Sequence, residues 1–174
     1  NTYGQLGSGN KTASNTANTK VYGVKSIISM SAGHAFTCAL TSAGTVWCWG
    51  SNIYGQLGNG KDKSDYAPGG DSEDKPLMVK GPSKVVDIAT SGWSACVLEA
   101  TGKVWCWGLN FYGQIGDGLG GKDKVQKTPV PLSTVSGVVA LDAGIHHVCA
   151  LRSNGVIQCW GMGLSGQLGN GKVQ

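Results

Sequence analysis

The run Cys38-Ala39-Leu40-Thr41-Ser42-Ala43-Gly44-Thr45-Val46-Trp47-Cys48-Trp49-Gly50 reads as two short strands around a tight loop. Ala39 and Leu40 are the apolar pair of one strand, Val46 and Trp47 that of the other, and Ser42-Ala43-Gly44 forms a three-residue connection. Gly at the last loop position suits the left-handed residue and bulge that such hairpins use. With Ala43 at the centre, Leu40 faces Val46 and Cys38 faces Cys48. Directly opposed residues of an antiparallel pair lie about 4.5–5.5 Å apart at Cα, a span that a disulfide can close.

The same run recurs. Cys96 pairs with Cys106 and Cys149 with Cys159 by the same arithmetic, with Gly102 and Gly155 in the place of Gly44. All six cysteines therefore fall into three equivalent couples. Three intra-hairpin disulfides are expected, which places the chain outside a reducing cytosol, at the cell surface or in the extracellular space. The alternative at this spacing is three pairs of buried thiols acting as small apolar fillers.

A second string keeps the same beat. Tyr3-Gly4-Gln5-Leu6-Gly7 returns at 54–58, at 112–116 with Ile115 for Leu, and as Ser165-Gly166-Gln167-Leu168-Gly169, at spacings of 51, 58 and 53 residues (3 to 54, 54 to 112, 113 to 166). Self-similarity at such a period marks a repeat architecture. Ile27, Met30, Val85, Ile88, Val138 and Leu141 supply a further apolar strand per copy, while the polar stretches 10–20, 61–75 and 119–127 read as loops. The expected units are 1–51, 52–109 and 110–162, with 163–174 opening another repeat in a single tandem array. The chain starts Asn1-Thr2-Tyr3-Gly4 without Met, as expected of a segment cut from a longer chain or processed.

The chain has 174 residues, 29 of them Gly and six Trp, and only 14% are charged. That composition points to an all-β, turn-rich chain with no stretch apolar enough for a membrane span. The formal charge of +4 comes from scattered lysines, so nucleic acid is not an expected partner.

The segments Ser31-Ala32-Gly33, Thr37-Cys38-Ala39-Leu40, Val46-Trp47-Cys48-Trp49-Gly50, Asn52 and Gly55-Gln56-Leu57-Gly58 together resemble one repeat of the regulator of chromosome condensation family. The resemblance runs over essentially the whole chain. It implies an all-β fold, a β-propeller segment of about three four-stranded blades from a ring that usually has seven. The name-giving member is a nuclear protein that binds histones and DNA and drives nucleotide exchange on a small GTPase. Bacterial members with cysteine-bearing repeats are more similar, and one propeller relative is a secreted β-lactamase inhibitor. The family often carries a His two residues before Cys-Ala-Leu, where this chain has Phe36, Ser94 and His147, and the second copy shifts its turn Gly to Gly92. Loop elements for nucleotide exchange are not found.

Three blades cannot close a ring, so two sheet flanks need cover, either from a longer parent chain or from further copies. Residues 1–12 correspond in register to 163–174. In an end-to-end association both segments would compete for one place, which favours the longer array.

Motifs for chemistry fall away on inspection. Gly161-Met162-Gly163-Leu164-Ser165-Gly166 imitates a dinucleotide loop, but its counterparts at 50–55 and 108–113 are turns with no helix to follow. Two Gly-rich runs end at Lys61 and Lys172 without the Ser or Thr that would hold magnesium. Adjacent His146 and His147 on a strand would point to opposite faces and could not grip one metal. Asp62, Asp65, Asp71, Glu73 and Asp74 lack the ordered spacing of a calcium loop. No catalytic residue, metal or cofactor is expected.

The tryptophans at 47, 49, 105, 107 and 160 recur with the period and are expected to wedge between blades. Trp93 has no counterpart, since Ala35 and His146 stand in its place. A non-repeating aromatic on a turn is a candidate for partner contact. Trp93, with Asp62, Asp65, Tyr66 and Asp71 of the 61–75 loop, forms the expected protein-binding set. The leading expectation is a secreted or cell-surface scaffold that binds a protein partner without chemistry of its own. Regulation of a GTPase by exchange, and self-assembly into rings or fibres, are the alternatives.

Overall fold

A computed structural model describes residues 1–12, 19–62, 72–121 and 124–173. Apolar pairs flanked by turn glycines give short antiparallel strands throughout. The first blade is β1 (Ile27–Ala32), β2 (Phe36–Thr41), β3 (Val46–Ser51) and β4 (Ser72–Met78), paired in that order. The second is β5 (Val85–Thr90), β6 (Ser94–Glu99), β7 (Val104–Leu109) and β8 (Val125–Pro131). The third has three strands among the described residues, β9 (Val138–Ala143), β10 (His147–Arg152) and β11 (Ile157–Gly161). The array is a partial β-propeller.

The hairpin register is the one the cysteines require. Leu40 pairs with Val46 and Cys38 with Cys48, and both later copies repeat this. Gly44, Gly102 and Gly155 take the left-handed conformation, with φ of 73°, 82° and 82°. Three disulfides, Cys38–Cys48, Cys96–Cys106 and Cys149–Cys159, each cross a hairpin with a Cα separation of 4.1 Å.

Two polar stretches are shorter as loops than their composition implies. β4 begins at Ser72 and β8 at Val125, so Glu73 and Asp74 belong to a strand, and so does Lys127. Both are outer strands whose ladder tolerates Pro76 and Pro129 near the sheet edge, and polar side chains there stay partly in water. Period-two patterning is weakest where neither face is sealed.

Side chains alternate across each sheet, so every blade has an indole face and a disulfide face. Trp105 and Trp107 of blade two pack with Leu40, Val46 and the Cys38–Cys48 bridge of blade one. On the opposite face, Leu98, Val104 and Cys96–Cys106 pack with Val148, Ala150 and Trp160 of blade three. The recurring tryptophans of blades two and three are thus inter-blade wedges, as their period predicts.

A hydrogen bond locks one indole of each blade to the turn that precedes that blade. The indole N–H of Trp49 donates to the Gln5 carbonyl, that of Trp107 to Gln56 and that of Trp160 to Gln114, each at 2.9 Å. The second Gly of the first three Gly-Gln-Leu/Ile-Gly turns, Gly7, Gly58 and Gly116, lies against the ring. A Cβ on Gly58 would stand 2.9 Å from Trp107 Nε1, on a backbone already at φ 65°. Between the inner strands, the Asp87 carboxylate accepts from the Ile88 and Leu141 amides, tying blade two to blade three.

Candidate functional site

The turns joining the first two strands of each blade gather at one end of the array. Each closes with a backbone bond across two tip residues, Gly33 N–H to Phe36 O, Ser91 N–H to Ser94 O and Gly144 N–H to His147 O. The first tip residues then bond from blade to blade. His34 N–H donates to Gly92 O at 3.0 Å and Gly92 N–H to Ile145 O at 2.8 Å. A Cβ on Gly92 would meet that Ile145 oxygen at 3.0 Å, so the shifted Gly of the second copy serves this close approach.

At the position where the family often carries His, only His147 conforms, and the structure accounts for the departures at Phe36 and Ser94. The rings of Phe36 and His147 cover Gly33 and Gly144 so closely that no Cβ fits there. In blade two both partners change together, and Ser91 and Ser94, both buried, bond through their hydroxyls.

The second tip residue of blade two is Trp93. Its ring is stacked on His146 of blade three, with centroids 5.6 Å apart and planes at 20°. His34 of blade one approaches it at 5.1 Å and Tyr54 meets it edge-on at 6.3 Å. Tyr112 leans on His146 at 5.3 Å, and Phe111 meets Tyr112 edge-on at 4.7 Å. Six rings from three blades form one aromatic row.

The two tyrosines are held by polar residues of the repeating turns. The Gln56 side chain accepts from Tyr54 N–H and the Gln114 side chain from Tyr112 N–H. Asn52 and Asn110 bind Leu57 N–H and Ile115 N–H from inside the turn. These buried amides therefore hold the turns in shape, and the rigid turns present Tyr54 and Tyr112 at the array's end.

Between these rings lies a pocket of about 540 Å³, lined by Tyr54, Trp93, Phe111, Tyr112, His146 and Asp62 together with aliphatic side chains of a turn and of the ends of β7 and β8. Among the described residues Asp62 is the one charged side chain in that lining, and its Oδ2 lies 3.2 Å from Lys127 Nζ. Burial, and secondarily the neighbouring His147, push the His146 pKa below its usual value, which favours the neutral ring. His146 Nδ1 is buried without a hydrogen-bond partner among the described residues.

Of the expected binding set, the fold brings Trp93 and Asp62 into one pocket. Asp65, Tyr66 and Asp71 lie outside the described residues. Tyr54, Phe111, Tyr112 and His146 escape the sequence reading because three sit in a repeating turn and the fourth looks like an ordinary structural His. A usable signal was present: Phe111-Tyr112 and Ile53-Tyr54 are large residues at the tips of Gly-rich turns. Among the described residues no group of three or more His, Cys, Asp or Glu could hold a metal ion. No helix there is long and apolar enough to cross a membrane.

Two family models described as the regulator of chromosome condensation (RCC1) repeat match the chain, one at residues 27–56, 85–114 and 138–167, the other at 43–98 and 101–151. The human E3 ubiquitin-protein ligase HERC2 is 33% identical over 153 residues, covering 84% of this chain and 3% of its own length. The guanine nucleotide exchange factor SRM1 of Saccharomyces cerevisiae is 31% identical over 177 residues, covering 82% of this chain and 35% of its own. Yeast RCC1 (Prp20), solved bound to Kap60, superposes with a TM-score of 0.80 at 26% identity, over 96% of this chain and 40% of that one. The chain thus spans about a third of the exchange factor and a small part of the ligase. Matched over three successive repeats and built as successive propeller blades, the chain belongs to the regulator of chromosome condensation (RCC1) repeat family.

Proposed function

We propose that this chain is a non-catalytic protein-recognition segment of a propeller, and that it binds its partner at the end where the first-strand turns of all three blades meet. The observation that carries the reading is the pocket there. Trp93, Tyr54 and Tyr112 come from different turns yet line one concavity, and clustered Trp and Tyr in a partly desolvated pocket are the usual energetic centre of a protein interface. Relatives support a role in partner binding: yeast RCC1 (Prp20) is solved bound to Kap60, and Prp20p of Saccharomyces cerevisiae is described with binding properties to Gsp1p and histones.

The three disulfides support an oxidising, extracellular or cell-surface setting. A mass about six units below the reduced form under non-reducing conditions is expected, and an unchanged mass would remove that support.

The whole chain is proposed as one array whose open flank a further blade of a longer parent chain covers. Leu151, equivalent to the buried Leu40 and Leu98, is 39% exposed on that flank. A second copy is the weaker candidate. Its Trp49 is already held by its own Gln5, so a head-to-tail joint would have to displace residues 1–9. Light scattering that finds a stable ring or fibre of the isolated chain would reverse this preference.

The test of the reading is partner retention. A partner held by the wild-type chain is expected to be lost with Trp93→Ala or Tyr112→Ala at unchanged thermal stability. Retention by both variants would overturn it. SRM1, named an exchange factor, motivates a second reading as a GTPase regulator. Accelerated nucleotide release from a small GTPase by the disulfide-bonded chain would establish that reading instead.

A further inference from the structure

We infer that the pocket between Tyr54, Trp93, Tyr112 and His146 receives a cationic side chain of the partner, an arginine or a lysine, with Asp62 as its counter-charge. The inference rests on the partner-binding reading and adds the chemistry of the contact.

Ring composition supports it first. Five of the lining side chains are aromatic, and aromatic faces carry negative potential that attracts an ammonium or guanidinium within about 6 Å. Charge supports it next. Among the described residues Asp62 is the single charged lining side chain and no Lys or Arg lines the pocket, and His146 is kept towards its neutral form by burial. An anionic group would therefore meet a carboxylate and ring faces, and a cation would meet complementary charge.

Lys127 already shows that the carboxylate holds an ammonium. Its Nζ lies 3.2 Å from Asp62 Oδ2, and its side chain is about a third exposed, so it can share or yield the carboxylate to an entering group. Size also fits. A pocket of about 540 Å³ is larger than one Lys or Arg head needs, which leaves room for its aliphatic stem along the aliphatic wall. Trp93 has His34, His146 and, edge-on, Tyr54 as its ring neighbours, so Phe111 and Tyr112 supply the remaining aromatic surface around an entering group.

The probes are the peptide Gly-Arg-Gly and its neutral isostere with citrulline in place of arginine, titrated into the full disulfide-bonded chain. Binding is read from the Trp93 indole N–H resonance, assigned by its loss in Trp93→Phe. The arginine peptide is expected to shift that resonance saturably, and the citrulline peptide to bind about tenfold or more weakly. Asp62→Asn is expected to weaken the arginine peptide several-fold and to flatten its salt dependence, with the other indole resonances unmoved. Equal affinity for the two peptides would overturn the cationic ligand while leaving the pocket as a partner site. No shift with either peptide would also overturn it, and the partner-retention experiment with Trp93→Ala then decides separately whether this end binds protein.

Discussion

Blades two and three carry nearly the same residues on their disulfide faces, yet they are buried very differently. Leu98 of blade two is 2% exposed and its counterpart Leu151 is 39% exposed, while Val104 is fully buried and its counterpart Ile157 is 67% exposed. Among the described residues blade two has a sheet on each side and blade three has one on its indole side only. The difference teaches that in a repeat array a residue's energetic weight belongs to the interface it joins and not to its place in the repeat.

Single substitutions can break or sharpen that contrast. Trp107→Ala empties a fully buried site, removes the indole bond to Gln56, and should cost about 3–5 kcal/mol in denaturant titrations. Trp160→Ala, at a half-buried site, should cost about half as much. Equal costs would mean that blade three is covered in solution.

Leu98→Ala should cost about 2–5 kcal/mol and Leu151→Ala below about 1 kcal/mol, measured as shifts in thermal midpoint. A smaller contrast is expected at the clasps. Gly58→Ala and Gly169→Ala both place a Cβ on left-handed backbone, at φ 65° and 64°, for about 1–2 kcal/mol each. Only at Gly58 does that Cβ meet a ring, whereas Gly169 has nothing within 4 Å, so the alanine at 58 should cost about 1–3 kcal/mol more.

The smallest effect is protonic and sits on the seam between the two blades. The folded-state pKa of His146 lies below its usual 6.5, so its contribution to stability is full above that value and is lost as the pH falls through the lower folded value. A pH series of unfolding midpoints should show this acid loss in the wild-type chain and less of it in His146→Phe. An acid loss of the same size in both would remove His146 as its source.

The strand ladder was legible because hairpins are local. Cys38 to Cys48 contains both strands and their loop, so apolar spacing and Gly44 suffice to set the register, and the disulfides follow from it. The outer strands were less legible. β4 and β8 start inside polar stretches, because an edge strand with one open side needs no strict alternation. The site was half legible. Trp93 stands out as the residue that breaks the period, whereas Tyr112 and His146 look like routine members of their repeats until the turns are brought together.

The amino-acid sequence by itself determined the repeat, through self-similarity along the chain, and the hairpin registers, the cysteine pairs and the glycine turns, each of which depends on residues within about a dozen positions of one another. Tertiary structure alone decided which face of each sheet meets the next blade, which of the equivalent leucines lies open, and how six rings from five turns come to form one row. Those outcomes depend on contacts between residues some fifty positions apart, and sequence spacing carries no information about the angle at which one sheet settles on another.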